Sequence, residues 1–146
     1  MSFFDDYPAF KLDPSAPITA EFKRLANQRH WKKGSKTWRN MWNRFTTMEY
    51  EELIGNHLAG LDGWRDLCEE LDLPGPFDSI RQCKKALSKV HVNIVDVLES
   101  RLLDRKPRKF PNKHALAAYT RDSGKFMSRD LAKQDGLLKV LLRRLL

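Results

Sequence analysis

Apolar residues that recur every three or four positions are the feature that most limits what this chain can fold into. After Ser35, the apolar residues with this spacing are Trp38, Met41, Trp42, Phe45 and Met48. Side chains spaced in this way lie on one face of an α-helix, whereas a half-buried strand would alternate them with polar ones. No stretch of useful length alternates in that way. The sequence therefore predicts an all-α fold, a compact bundle of five to seven helices.

Prolines and small polar residues divide the chain into segments. Three prolines disfavour a helix in residues 1–17, which predicts an extended N-terminal arm. We expect its aromatic residues to pack over the core; the alternative is that the arm is a short recognition peptide. Helices are predicted from Thr19 to about Trp31, from Ser35 to about Gly55, and from Asp62 to the break at residues 73–76. A length of 146 residues predicts a single domain spanning 1–146.

The longest predicted helix covers about residues 79–103. One of its faces is apolar from Ile80 to Leu98, which predicts a central, buried helix. Residues 104–113, DRKPRKFPNK, predict a basic loop. Phe110 either stacks on a base or, as we expect, pins this loop to the core. Beyond this loop, Asn112 and Ser128 are predicted to cap two short helices, and a leucine-rich helix closes the chain.

Charge is unevenly distributed along a chain whose net charge is +8. Residues 21–44 carry eight Lys or Arg against one Glu, and residues 49–72 carry eight Asp or Glu against one Arg. Residues 101–113 are basic again, with six Lys or Arg against one Asp. Blocks of opposite sign either face each other across a helix pair or remain solvated. Only bases that stay unpaired would attract a polyanion through the long-range field and counterion release.

The segment 22–44 is the most informative part of the sequence for function, because three tryptophans alternate there with Lys and Arg. Trp38 and Trp42 belong to the apolar face of the second predicted helix, so the opposite side of that helix is polar. The first basic patch is defined by this polar side and the turn before it: Lys32, Lys33, Lys36, Arg39, Asn40, Asn43 and Arg44. The cations would bind phosphate and the asparagines could reach base edges. A helix–turn–helix would pair residues 19–31 with 35–47. The alternative, that this side is only solvated, stays open.

A second basic cluster and the terminal helix offer two further surfaces. The second basic patch resembles a nuclear localisation signal and consists of Arg105, Lys106, Arg108 and Lys109. The leucine-rich terminal helix either closes the core or docks onto another protein or a second copy of the chain. In that docking role the predicted partner-binding residues are Leu138, Leu142 and Leu145. The alternative function is thus a protein–protein adaptor or homodimer.

The patterns that mark enzymes and metal sites are missing from this sequence. Its four histidines and two cysteines lack the spacing of metal ligands, and its glycines form no phosphate-binding loop. We find no nucleophile motif, and therefore expect a non-enzymatic protein without cofactor or metal. Two cysteines make no disulfide framework, which favours a reducing intracellular compartment, nuclear or cytoplasmic. No apolar run approaches the roughly 20 residues of a membrane span.

Three segments carry a resemblance to a known group of proteins. These are the run from Glu21 to Phe45, the segment FPNKHALAAYT and the segment KFMSRDLAKQDGLLKVLLRRL. They resemble small, basic, helical proteins of ascomycete fungi, a family to which no function is assigned. The resemblance implies a eukaryotic, intracellular context and supplies no ligand or activity. The residues themselves predict a binding protein whose partner is nucleic acid, DNA or RNA, or an acidic protein.

Overall fold

The computed structural model describes residues 2–138 and, within them, a fold built from helices. The α-helices are α1 (Ile18–Gln28), α2 (Lys36–Leu53), α3 (Leu61–Glu70), α4 (Ile80–Leu87), α5 (Ile94–Leu102), α6 (Lys113–Ser123) and α7 (Arg129–Gln134). Short 3-10 helices cover Phe3–Asp6 and Gly55–His57. Among these residues the extended pairing is one isolated antiparallel bridge between Val92 and Lys109, and no strand forms. The predicted all-α fold is confirmed.

Side-chain caps set the start of most helices. Five residues accept a hydrogen bond from the backbone N–H three positions later: Ser35, Ser79, Asn93, Asn112 and Ser128. These caps satisfy amides that the helix itself leaves free.

The first helix, α1, is shorter than the helix to about Trp31 that the sequence predicted. It ends at Gln28, because His30 adopts φ 59° and the N–H of Trp31 donates to the Ala26 carbonyl oxygen.

The predicted long central helix over residues 79–103 is wrong, since α4 and α5 are separate helices. Asn93 starts α5 by accepting from the N–H of Asp96, at 3.1 Å. Before it, the carbonyl oxygen of His91 accepts from the N–H of Phe110 at 2.8 Å, and Val92 forms the bridge to the basic loop. The valines here are poor helix formers, and an asparagine favours a cap. The basic loop captures the backbone groups that a continuous helix would have used.

An aromatic cluster joins the N-terminal arm to α1 and α2. Phe3 is fully buried and lies 5.6 Å from the ring of Phe45, while Phe22 stacks on Phe45 at 4.9 Å. The indoles of Trp38 and Trp42 are parallel within 3°, with centroids 5.5 Å apart. The arm therefore packs over the core as predicted, although its first residues form a 3-10 turn. This cluster fixes which side of α2 faces outward.

The last described residues also belong to the core. Leu137 and Leu138 are fully buried, and their backbone N–H groups both donate to Asp135 Oδ1 at 3.0 Å. The hydroxyl of Tyr50 donates to the same carboxylate at 2.7 Å, which ties the end of α7 to α2. In the part of the chain from 2 to 138, no helix combines the length and the apolar character that a membrane crossing requires.

Candidate nucleic-acid interface

The first basic patch lies on the outward side of α2 and on the turn that precedes this helix. Because Trp42 and Phe45 are buried in the aromatic cluster, the residues of the opposite side point into solvent. All seven residues of the predicted patch are exposed: Lys32, Lys33, Lys36, Arg39, Asn40, Asn43 and Arg44. The structure therefore brings every predicted residue of this patch onto the surface, along the first half of one helix and its leading turn.

The connection between α1 and α2 does not have the geometry of a helix–turn–helix. Residues 29–35 form it, whereas that motif joins its helices by a turn of about three or four residues. The connection ends in a left-handed glycine, Gly34 at φ 82°, followed by the cap Ser35. It places Lys32 and Lys33 beside the N-terminus of α2, whose first turn contains no acidic residue. The positive end of the helix dipole adds to these cations.

Most of the cations in the first basic patch have no counterion within the described range 2–138. Among residues 2–138, the patch makes one ion pair, between Arg44 and Asp6 at 2.9 Å. Both side chains of that pair are more than a third exposed, so it contributes at most about 1 kcal/mol. The remaining cations of the patch are exposed to solvent: Lys32, Lys33, Lys36 and Arg39. The patch retains its positive field.

The acidic segment 49–72 contacts other parts of the molecule. Glu70 forms an ion pair with Arg101 at 2.8 Å, and the same guanidinium donates to the Leu53 carbonyl oxygen at the C-terminus of α2. Asp72 lies 3.1 Å from the ammonium of Lys106. Glu49 is buried and accepts from the N–H of Phe3 at 2.9 Å and from the Ser2 hydroxyl at 2.8 Å. These acids do not cover the first basic patch.

The second basic patch is partly neutralised by the chain's own carboxylates. Besides the Lys106 pair, Arg105 lies 4.0 Å from the buried Glu99, and the Arg108 guanidinium sits 4.6 Å above the ring of Phe110. Lys109 is exposed and supplies its backbone to the bridge with α5's leading segment. Phe110 is 6% exposed, which confirms that it pins the loop to the core.

The structure separates the two predicted patches along α2. Lys106 donates to the Glu70 carbonyl oxygen, and the Glu70 carboxylate binds Arg101 at the Leu53 end of that helix. Lys36 occupies the opposite end of α2. At about 1.5 Å per residue, the two ends of the helix lie roughly 25 Å apart. One polyanion would have to extend along the whole helix to reach both patches.

The predicted partner-binding leucines and the two cysteines are not part of an exposed site in the described residues. Leu138, predicted to bind a partner, is instead fully buried, because the last described turn closes the core. Leu142 and Leu145 lie outside the described residues.

Cys68 and Cys83 are buried free thiols on α3 and α4. Burial, and then the adjacent Cys83, raise the pKa of Cys68 to about 12, so this thiol stays protonated near neutral pH.

Neither a metal-binding cluster nor a comparison with known proteins adds information about this interface. Within the described residues, no group of three or more His, Cys, Asp or Glu side chains converges in a way that could hold a metal ion. Comparison of the chain with protein-family models, curated proteins and solved structures finds no match. The assignment of function therefore depends on the geometry and charge of the surface itself.

Proposed function

We propose that this protein is a non-enzymatic binding module that contacts nucleic acid through the first basic patch. The observation that carries the proposal is the distribution of counterions. Within the acidic segment 49–72, Glu70 pairs with Arg101 on α5, Asp72 pairs with Lys106 in the basic loop, and Glu49 accepts from the N-terminal arm. The first patch keeps four cations without an ion pair among residues 2–138. Uncompensated cations on one convex helix face are the electrostatic footprint of polyanion binding.

The shape of α2 suits a groove of duplex nucleic acid. Lys36, Arg39, Asn40 and Asn43 follow one another along the exposed side of a single helix. An α-helix with its side chains is about 10–12 Å wide, which matches the roughly 12 Å width of the B-DNA major groove. In this arrangement the Lys and Arg side chains contact phosphates and fix the register. The two asparagine amides face base edges, where an amide can pair with adenine.

Fluorescence anisotropy with labelled DNA and RNA over a series of salt concentrations tests this proposal. When binding releases counterions, the logarithm of the binding constant falls linearly with the logarithm of the salt concentration. On duplex DNA the slope is near −0.9 per phosphate contacted. We expect the triple variant Lys33→Gln, Lys36→Gln, Arg39→Gln to reduce that slope by up to about 3. The matched control removes three exposed cations from α4 and the turn after it: Arg81, Lys85 and Lys89.

The control is expected to keep the wild-type slope, since its cations lie outside the patch. An equal loss in both triple variants would show that binding follows net charge alone and would contradict the assignment to α2. Absence of binding to DNA and RNA even at low salt would overturn the proposal and favour an acidic protein as the partner. Replacement of Asn40 and Asn43 by alanine should relax base preference while leaving the salt slope unchanged.

A further inference from the structure

A cleft between α6 and the start of α5 is separate from the proposed nucleic-acid interface. It has a volume of about 480 Å³, within the range of small-molecule sites. Its floor is apolar and well packed, because Val92, Ile94 and Leu116 are each at most 2% exposed. Ala117 lies one residue further along α6 and is the smallest side chain of the lining. The absence of a large side chain at that position keeps the cleft open.

One wall of the cleft is formed by residues 125–127, whose backbone is held from inside the fold. The Asn93 side-chain amide donates to the Lys125 carbonyl oxygen at 3.0 Å, and the indole N–H of Trp42 donates to the Phe126 carbonyl oxygen at 3.0 Å. Two successive carbonyl groups are thus fixed by buried donors. The ring of Phe126 nevertheless remains 49% exposed at the cleft. A rigid backbone that presents an exposed aromatic ring offers apolar area for a ligand to cover.

The rim of the cleft is positively charged. Among the residues that the structure describes, no carboxylate lines it and four cations do: Lys113, Arg121, Lys125 and Arg129. Lys125 is neutralised from below, since its ammonium lies 2.7 Å from Asp96. The other three are exposed and make no ion pair with the described residues. An apolar floor beneath three uncompensated cations is complementary to a molecule that is apolar at one end and anionic at the other.

We propose that this cleft binds a small organic anion that joins a phosphate, sulfonate or carboxylate group to an aromatic or aliphatic body. The body packs on Leu116, Ile94 and the ring of Phe126, and the anion lies between Arg121 and Arg129 with Lys113 nearby. The positive charge of the rim is the reason for choosing an anion as the ligand. The side chains of residues 139–146 include three Lys or Arg and no carboxylate, so they do not supply the missing negative charge.

Titration with 8-anilinonaphthalene-1-sulfonate, an aromatic sulfonate that fluoresces in apolar surroundings, tests the cleft directly. We expect saturable binding at one site per chain. The variant Arg121→Gln, Arg129→Gln should bind at least about 10-fold more weakly, because charge-assisted contacts are lost. The matched control, Arg81→Gln with Lys85→Gln, should bind like the wild type. Ala117→Trp should abolish binding by filling the cleft, with near-ultraviolet circular dichroism recorded to verify that each variant is folded.

Competition then identifies the chemistry of the ligand. 1-Naphthyl phosphate should displace the probe, whereas neutral 1-naphthol and inorganic phosphate, each lacking one half of the ligand, should displace it at least about 10-fold less well. Equal affinity of the arginine variant and its control, or equal displacement by naphthol, would overturn the proposal. The triple variant of the first basic patch should bind the probe normally. Failure of the cleft and failure of the nucleic-acid interface are therefore distinguishable.

Discussion

Replacement of Lys125 by methionine tests the buried ion cluster that joins α5 to the segment after α6. The Lys125 ammonium lies 2.7 Å from Asp96, 3.6 Å from Glu99 and 3.1 Å from the hydroxyl of Tyr119. Glu99 in turn accepts from the Thr19 hydroxyl at 2.8 Å, so the cluster also reaches α1. Methionine keeps an unbranched apolar stem in this position and removes the ammonium.

The expected loss follows from the burial of the two carboxylates. Their side chains are 13% exposed for Asp96 and 3% for Glu99, while that of Lys125 is 21% exposed. Removal of one partner from a buried ion pair costs about 3–5 kcal/mol, because the remaining charge is left without compensation. Partial access of water to this site, together with the Arg105 guanidinium that stays 4.0 Å from Glu99, favours the lower end, about 3 kcal/mol. For a chain of this size, that loss lowers the thermal midpoint by roughly 10 °C.

Urea and thermal unfolding followed by circular dichroism measure this loss. The control is Lys89→Met, which removes an exposed ammonium that has no ion pair within residues 2–138. In the Lys125→Met background, Asp96→Asn should recover about 1 kcal/mol or more, because it removes an unpaired buried charge. The reasoning is refuted if Lys125→Met costs no more than the control, or if the double variant is less stable than Lys125→Met alone.

Two further predictions concern buried titratable groups. Burial raises the pKa of Glu49 above its ordinary value of 4.5, so the folded state holds the proton more tightly and stability is lost as the pH rises past that value. Glu49→Gln should therefore gain urea resistance relative to wild type as the pH rises above 4.5, and the exposed control Glu51→Gln should not. A gain independent of pH would contradict this. Iodoacetamide at about pH 8 should label Cys68 and Cys83 in urea but not in the folded chain, and labelling that is equally fast in both states would show the thiols to be accessible.

Most helix starts and the identity of the first basic patch could be predicted from the sequence because both depend on local spacing. The stripe from Trp38 to Met48 placed the polar side of α2 outward, and the caps Ser35, Asn112 and Ser128 all act as predicted. A cap bonds a group three residues away, and a helical stripe repeats within four residues. Interactions of such short range can be predicted directly from the order of the residues in the sequence.

The arrangement of the acids could not be predicted, because it depends on which segments meet. Net charge along the chain left open whether residues 49–72 would cover the first basic patch or the basic loop. The structure pairs Glu70 with Arg101 and Asp72 with Lys106, at sequence separations of 31 and 34 residues. That choice leaves Lys36 and Arg39 on α2 without an ion pair among residues 2–138, and it is the basis of the proposed interface.

The sequence by itself determined the helical character of this protein, the outward face of α2 and the aromatic core beneath it. Tertiary structure completed the separation of α4 and α5, because the backbone N–H of Phe110 donates to the His91 carbonyl oxygen across a loop. It also created the cleft, since Trp42 and Asn93 hold carbonyl groups that are 84 and 32 residues distant. The physical reason is range: local periodicity is encoded by neighbours, whereas counterions, captured backbone groups and clefts require contacts that form only when distant segments pack together.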